Sequence, residues 1–354
     1  MTRRISDIFA AGFDRRPLAV RPYLIAEAGV NHGGSMDLAR RLVDEAAAGG
    51  ADAIKFQTYK AETLAMRHSP AYWDLTQEST TSQFELFKKY DTFGAEQYEE
   101  LKEYCDHVGI EFMSTPFDLD AARAINELVE VHKISSSDIT NRPLIELIAS
   151  FGKPILLSTG ASDLAEVRQA VGWIDAVGAP LALLHCVLNY PTADEDANLG
   201  RIVSLREEFA DKPIGYSDHT LPGDLEPLVI AAGLGAVVLE KHFTYNTSLP
   251  GNDHYHALDE GTLRRQVERL ERAVLLAGRF DMGYLESEEV SRQHARRSLV
   301  AAVDIPAGSV IEESHLIAKR PGHGISPSRI NEVLGRRASH LIGADTALSW
   351  DHFE

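Results

Sequence analysis

Two histidines, His219 and His242, end consecutive apolar runs, residues 213–217 and 236–240. Neighbouring strands of a parallel sheet end at one edge, so the two imidazoles meet there although they are distant in sequence. Such a pair suits a divalent transition metal with open coordination positions. Each histidine taken singly is better read as a hydrogen-bonded core residue, and it is the pairing that points to a metal. Lys55 and Lys133 form a second pair, each interrupting an otherwise apolar strand. A lysine facing the interior is costly unless it meets an anion. Hydroxyls at Thr115, Ser136, Ser158 and Ser217 end other runs and offer the donors a phosphate needs. Each serine alone is better read as the cap of the helix after its strand, a use the lysines lack. The chemistry implied is a phosphorylated substrate beside a metal.

These side chains require a frame with many strand ends at one edge. From Tyr23 the chain alternates apolar runs with helix-compatible stretches: 23–29, 53–57, 111–115, 132–136, 154–159, 181–186, 213–217 and 236–240. Ser35 caps a helix over 36–48, and Gly49-Gly50 ends it. Eight such units over about 260 residues predict a (β/α)8 TIM barrel. The open doubly wound alternative lacks a Gly-x-Gly-x-x-Gly turn after its first strand. Barrel enzymes build their sites at the carboxyl ends of the strands, which here also carry Glu27, Asn31, His32, Gln57, Asp138, Asn189, Tyr190 and Glu240. The long stretch 60–93 is expected to shape the mouth.

The expected division is an extension (1–22), the barrel (23–280), a polar linker (281–296) and a small β-rich module (297–354). The extension holds five arginines and little pattern, so it packs late or on a neighbour. A net charge of −18 argues against nucleic-acid and anionic-membrane partners, so an anionic substrate needs local cations. No apolar run has membrane-span length, residues 1–20 lack the apolar centre of a secretory signal, and Cys105 and Cys186 are too few for a disulfide framework. A cytoplasmic location is expected.

The stretches Ile25-Ala26-Glu27-Ala28-Gly29-Val30-Asn31-His32-Gly33-Gly34, Lys55-Phe56-Gln57-Thr58, Ser114-Thr115-Pro116-Phe117, residues 152–160, Ser217-Asp218-His219-Thr220 and Glu240-Lys241-His242-Phe243 resemble the sialic acid synthase family, in family order. Residues 297–354, with Lys319-Arg320-Pro321-Gly322, resemble its antifreeze-like (SAF) domain. The resemblance implies a transferase that condenses phosphoenolpyruvate with an N-acylated amino sugar, N-acetylmannosamine or a relative, giving a nine-carbon 2-keto acid and phosphate. It implies that His219 and His242 hold Mn2+ or Mg2+, and that Lys55, Thr115, Lys133, Ser136, Ser158 and Ser217 bind phosphoenolpyruvate. Glu27, Lys55, Lys133, Tyr190 and Asp253 would be catalytic, with Gln57, Asn189, Tyr190, Glu240, Asp253 and Arg320 at the sugar. The family's domain-swapped homodimer would bring Arg320 from the other subunit.

Leu188 stands where many members have asparagine, with Asn189 as its possible replacement, and Asp138 shortens an acidic side chain. Legionaminic, pseudaminic or other nonulosonic acids are alternative products of the same chemistry. A barrel metallohydrolase leaves the interior lysines without a task, and in a non-catalytic sugar-binding protein the SAF-like module would do the work; phosphate release only when both substrates are present would exclude both. The run His254-Tyr255-His256 either lines the sugar pocket or forms a surface loop.

Overall fold

The computed structural model describes residues 3–223 and 227–354. The chain divides into two compact units, Met1–Gly278 and Arg279–Glu354. In the first unit the strands are β1 (Tyr23–Gly29), β2 (Ala53–Thr58), β3 (Glu111–Pro116), β4 (His132–Ile134), β5 (Ile155–Ser158), β6 (Leu181–Cys186), β7 (Ile214–Asp218) and β8 (Val238–His242). They pair in parallel in the order β3-β2-β1-β8-β7-β6-β5-β4, and the two end strands, β3 and β4, also lie in contact. This is the expected eight-stranded barrel, with helices between successive strands.

The two-residue period of a strand divides each run between two surroundings. Leu24, Ala26, Ile54, Phe56, Phe112, Leu183 and Leu239 pack with the helices. The helix Met36–Ala48 presents Ala39, Leu42, Val43 and Ala46 to that layer, and its start is fixed by Ser35 Oγ, which accepts from Leu38 N at 3.3 Å. The alternate positions Tyr23, Ile25, Ala53, Met113, Val131, Leu156, Ala182, Leu184 and Val238 form a separate interior cluster. Continuing that parity toward the carboxyl ends gives Glu27, Lys55, Gln57, Thr115, Lys133, Ser158, Cys186, Ser217, Glu240 and His242. The barrel interior is therefore apolar at one end and polar at the other.

Residues 3–22 are more integrated than an appendage, while Met1 and Thr2 lie outside the described residues. Ile5 and Ile8, on the short turn Ile5–Phe9, are fully buried in the interior cluster. Glu111 Oε2 accepts from Ile5 N at 3.0 Å and from Tyr23 OH at 2.8 Å, while Asp52 accepts from Arg21 at 2.6 Å. The stretch 60–93 contains the helices Ala61–Leu64 and Gln83–Tyr90.

The second unit pairs β9 (Ser298–Ala301) with β10 (Leu316–Lys319) in antiparallel fashion. Leu299, Ala301, Ile305, Ile311, Ile325, Val333, Ile342 and Leu348 form its own core. The expected linker 281–296 belongs to this unit and contains the helix Glu289–Ala295, with Gln293 O accepting from Gly322 N at 2.8 Å. No described helix is long and apolar enough to cross a membrane.

Candidate active site

The polar end of the barrel is built on two lysines and two carboxylates. Lys55 Nζ lies 2.5 Å from Glu27 Oε2 and 3.7 Å from Glu240 Oε2, and donates to Thr115 Oγ1 at 2.9 Å. Lys133 Nζ donates to Ser158 Oγ at 2.8 Å and to Ile134 O at 3.2 Å, and lies 3.9 Å from Glu240 Oε1. Ser217 Oγ donates to Glu240 Oε1, and Gln57 Nε2 to Glu27 Oε1, each at 2.9 Å. All of these except half-buried Gln57 are buried. The register places them: β1 pairs Glu27 with Lys55 on one side and with His242 on the other, and β7 pairs Ser217 with Glu240. Between Glu27 and Gly29 the β1–β2 register shifts; Gly29 has φ 52°, and a Cβ there would stand 3.1 Å from Gln57 Nε2.

Burial pushes the Glu27 carboxyl up to about 7, with Lys55 opposing and Glu240 assisting the rise. Against the cost of burial, Lys133 and Lys55 hold Glu240 below its ordinary range. Burial lowers Lys133. One carboxyl is thus poised to change protonation near neutrality while its neighbour stays ionised.

The second group is imidazole. The rings of His219 and His242 are 5.4 Å apart between centroids, and Tyr190 lies over His219 at 4.1 Å. Burial lowers His219 to about 4 and His242 well below its ordinary value, so both rings are neutral. His219 Nδ1 donates to Val187 O at 2.8 Å, which leaves the Nε2 lone pair free for a ligand. His242 Nδ1 is buried without a partner, 3.9 Å from Asp253 Oδ2. Among the described residues, His242, Asp253 and His256 offer three donor atoms within 4.8 Å of one another. Imidazole nitrogens and a carboxylate fit a divalent cation. The expected partner His219 adjoins this group without belonging to it.

Both groups open into one cavity of about 640 Å3. It is lined by Glu27, Lys55, Gln57, Thr115, Lys133, Ser136, Ser158, Tyr190, Ser217, His219, Glu240, His242 and Asp253. Asp138 also lines it, with Oδ1 accepting from Asn141 Nδ2 at 3.0 Å. Asn189 differs from expectation: it is exposed, because Leu188 and Tyr190 on either side face the cavity. Arg320 is an exposed residue of the second unit, directly after β10.

Sequence reasoning missed Cys186, whose sulfur lies 3.8 Å from both Ser136 Oγ and His219 Nδ1. Gly160 lets this wall close, since a Cβ there would meet Leu188 N and Ser136 Oγ at 3.0 Å. Asn31 Nδ2 donates to Phe243 O at 2.9 Å and to Asp253 O at 3.2 Å, tying the β1 end to the loop that carries Asp253. Of His254-Tyr255-His256, His254 lines the cavity and accepts or donates at Thr244 Oγ1, 2.8 Å away, while His256 is fully buried. The mouth is walled by Tyr59, Tyr72, Trp73, Phe87, Tyr90, Phe117 and Leu249, several of them from 60–93.

Residues 42–281 match the model of the NeuB family, and residues 296–354 that of the SAF domain. The chain is 39% identical over 351 residues to an N,N'-diacetyllegionaminic acid synthase of Legionella pneumophila, covering 97% of this chain and 98% of that protein. A synthase of the same description from Campylobacter jejuni is 36% identical over 322 residues, 89% of this chain and 95% of that one. The crystal structure of an N-acetylneuraminic acid (sialic acid) synthetase from Leptospira borgpetersenii, in complex with citrate, superposes with a TM-score of 0.69 at 35% identity, covering 77% of this chain and 90% of that chain. With its barrel, its paired lysines and its second unit, the chain belongs to the NeuB family and carries a SAF domain.

Proposed function

We propose that the protein condenses phosphoenolpyruvate with an N-acylated amino sugar, giving a nine-carbon 2-keto acid and phosphate, with a divalent cation bound at the imidazole end of the cavity. The observation that carries this reading is the convergence of Lys55 and Lys133 with Thr115, Ser158 and Ser217 around Glu27 and Glu240, directly beside the neutral histidines. An anion entering this end takes over donors that now serve carboxylates or hydroxyls.

In the reaction, C3 of phosphoenolpyruvate forms a bond to the sugar's aldehyde carbon, water adds at C2, and collapse of the adduct breaks the C2–O bond and releases phosphate. Lys55 and Lys133 hold the carboxylate and phosphate and offset their charge. Glu27, poised near neutrality by burial, takes the proton of the water that adds at C2. Tyr190 and Gln57 bound the sugar between these groups. His219 and His242 are the residues that would hold the cation, Mn2+ or Mg2+, which when bound would polarise the aldehyde oxygen as a Lewis acid.

The acceptor is read as a neutral sugar with a second acylamino group, as the names of the two synthases suggest. Leu188 favours it over N-acetylmannosamine, because an apolar wall suits carbon better than a hydroxyl. The mouth is aromatic, and among its described lining residues the only lysines or arginines are Lys55 and Lys133. Phosphate release from phosphoenolpyruvate, measured against a panel of amino sugars, tests both levels. Release only when both substrates are present is expected, fastest with the diacylated sugar; release without sugar, or none with any, sinks the reading.

A further inference from the structure

His256 has no task in the steps above, yet its position is costly. The side chain is fully buried, and neither ring nitrogen has a hydrogen-bond partner. A buried donor left unmade costs about 1–3 kcal/mol, so an imidazole held only for packing is a poor choice where Leu or Phe would serve. Its surroundings repeat the deficit. His256 Nε2 is 3.8 Å from Asp253 Oδ1, beyond hydrogen-bonding distance, and its ring centroid is 4.8 Å from that of His242. His242 Nδ1 is likewise buried, unpartnered and 3.9 Å from the other Asp253 oxygen. Two imidazoles therefore direct unpartnered nitrogens toward one carboxylate in a small space, from β8 and from the loop after it, while among the described residues Asp253 Oδ1 accepts only from Asn252 Nδ2 at 3.2 Å.

We infer that His256 is a protein ligand of the divalent cation, together with His242 and Asp253. Two donors each about 2.1 Å from one ion lie at most about 4.2 Å apart. The separations of 3.8 and 3.9 Å already satisfy this, and the widest in the group, within 4.8 Å, needs a shift of a fraction of an ångström. His242 and Asp253 line the cavity and His256 stands behind them, so the ion sits at the wall with a face open to substrate. Two imidazoles and one carboxylate favour Mn2+ over Mg2+, which prefers oxygen ligands. The inference rests on the proposed cation dependence, and its test reads binding instead of turnover.

Metal-stripped full-length protein is titrated with Mn2+, free ion being followed by electron paramagnetic resonance. His256→Phe, which keeps the ring volume, is expected to bind Mn2+ at least tenfold more weakly and to lose much of the preference over Mg2+. Affinity within twofold of wild type overturns the inference. Should that variant fail to fold, wild-type crystals soaked in Mn2+ decide the matter by anomalous scattering. An ion bonded to a His256 nitrogen supports the assignment, and one bound elsewhere in the cavity, with His256 only orienting Asp253, sinks it. Neither result depends on which sugar is accepted or on whether phosphate is released, so a failure here is separable from a failure of the proposed reaction.

Discussion

Lys55 and Lys133 look alike in sequence but are held differently. Lys55 is clasped by Glu27 at 2.5 Å and sits within 3.7 Å of Glu240, whereas the nearest carboxylate to Lys133 is Glu240 at 3.9 Å. Removing one member of a close buried pair strands the other's charge, at a cost of about 3–5 kcal/mol. Lys55→Met is therefore expected to lower the unfolding free energy of the empty protein by an amount of that order, and Lys133→Met by clearly less. Both should raise the Michaelis constant for phosphoenolpyruvate at least tenfold while moving that of the sugar much less. Denaturant unfolding and steady-state kinetics check the two parts. Equal changes in both Michaelis constants would show that the lysines are no dedicated anion site.

At the scale of elements, β4 carries a lysine inward and a histidine outward on adjacent positions. His132 lies against Phe151, ring centroids 5.4 Å apart, with Nε2 3.1 Å from Asn126 Oδ1. Burial first, then the charge of Lys153, lowers its pKa from 6.5 to about 4. The folded state holds this ring neutral, and the unfolded chain takes up a proton below its ordinary pKa. The stabilising contribution is therefore intact above pH 6.5 and is lost as pH falls through about 4, a total of about 3 kcal/mol for a shift of this size. Relative to His132→Phe, wild type should lose up to that amount between pH 7 and pH 4 in urea unfolding. A constant difference between the two proteins across this range would show that His132 does not contribute.

For the whole molecule, the second unit has its own core and an exposed Arg320, a side chain suited to paired bonds with sugar oxygens. We propose, from the family resemblance, a homodimer in which Arg320 serves the partner's cavity. Mixing Arg320→Ala with His219→Ala, each inactive alone, should then restore activity after subunit exchange. One composite site of the mixed dimer carries both defects and the other neither. No recovery despite demonstrated exchange would confine Arg320 to its own subunit or to no site.

The barrel was legible because its cause is local: each strand's two-residue period and each helix's cap lie within a few residues of chain, repeated eight times. The same parity put Lys55, Thr115, Lys133, Ser158 and Ser217 on the inward side, and the motifs named their chemistry. What fills the space opposite those lysines was not local. Glu27 and Glu240 reach them because β1 closes against β8, a pairing of segments distant in sequence, and the residues read as waiting for a substrate anion already meet two carboxylates. The burial of Ile5 and Ile8 escaped notice because one short turn carries no periodic signal. The sides taken by Leu188 and Asn189 depend on the path of the chain after β6, where neither period applies. His256 needed the return of the loop onto β8, where His242 O accepts from Leu258 N at 2.8 Å. Sequence determined which residues could do chemistry and the scaffold that gathers them; closure of the ring and the loops above it decided which of those groups are paired and which remain free to bind.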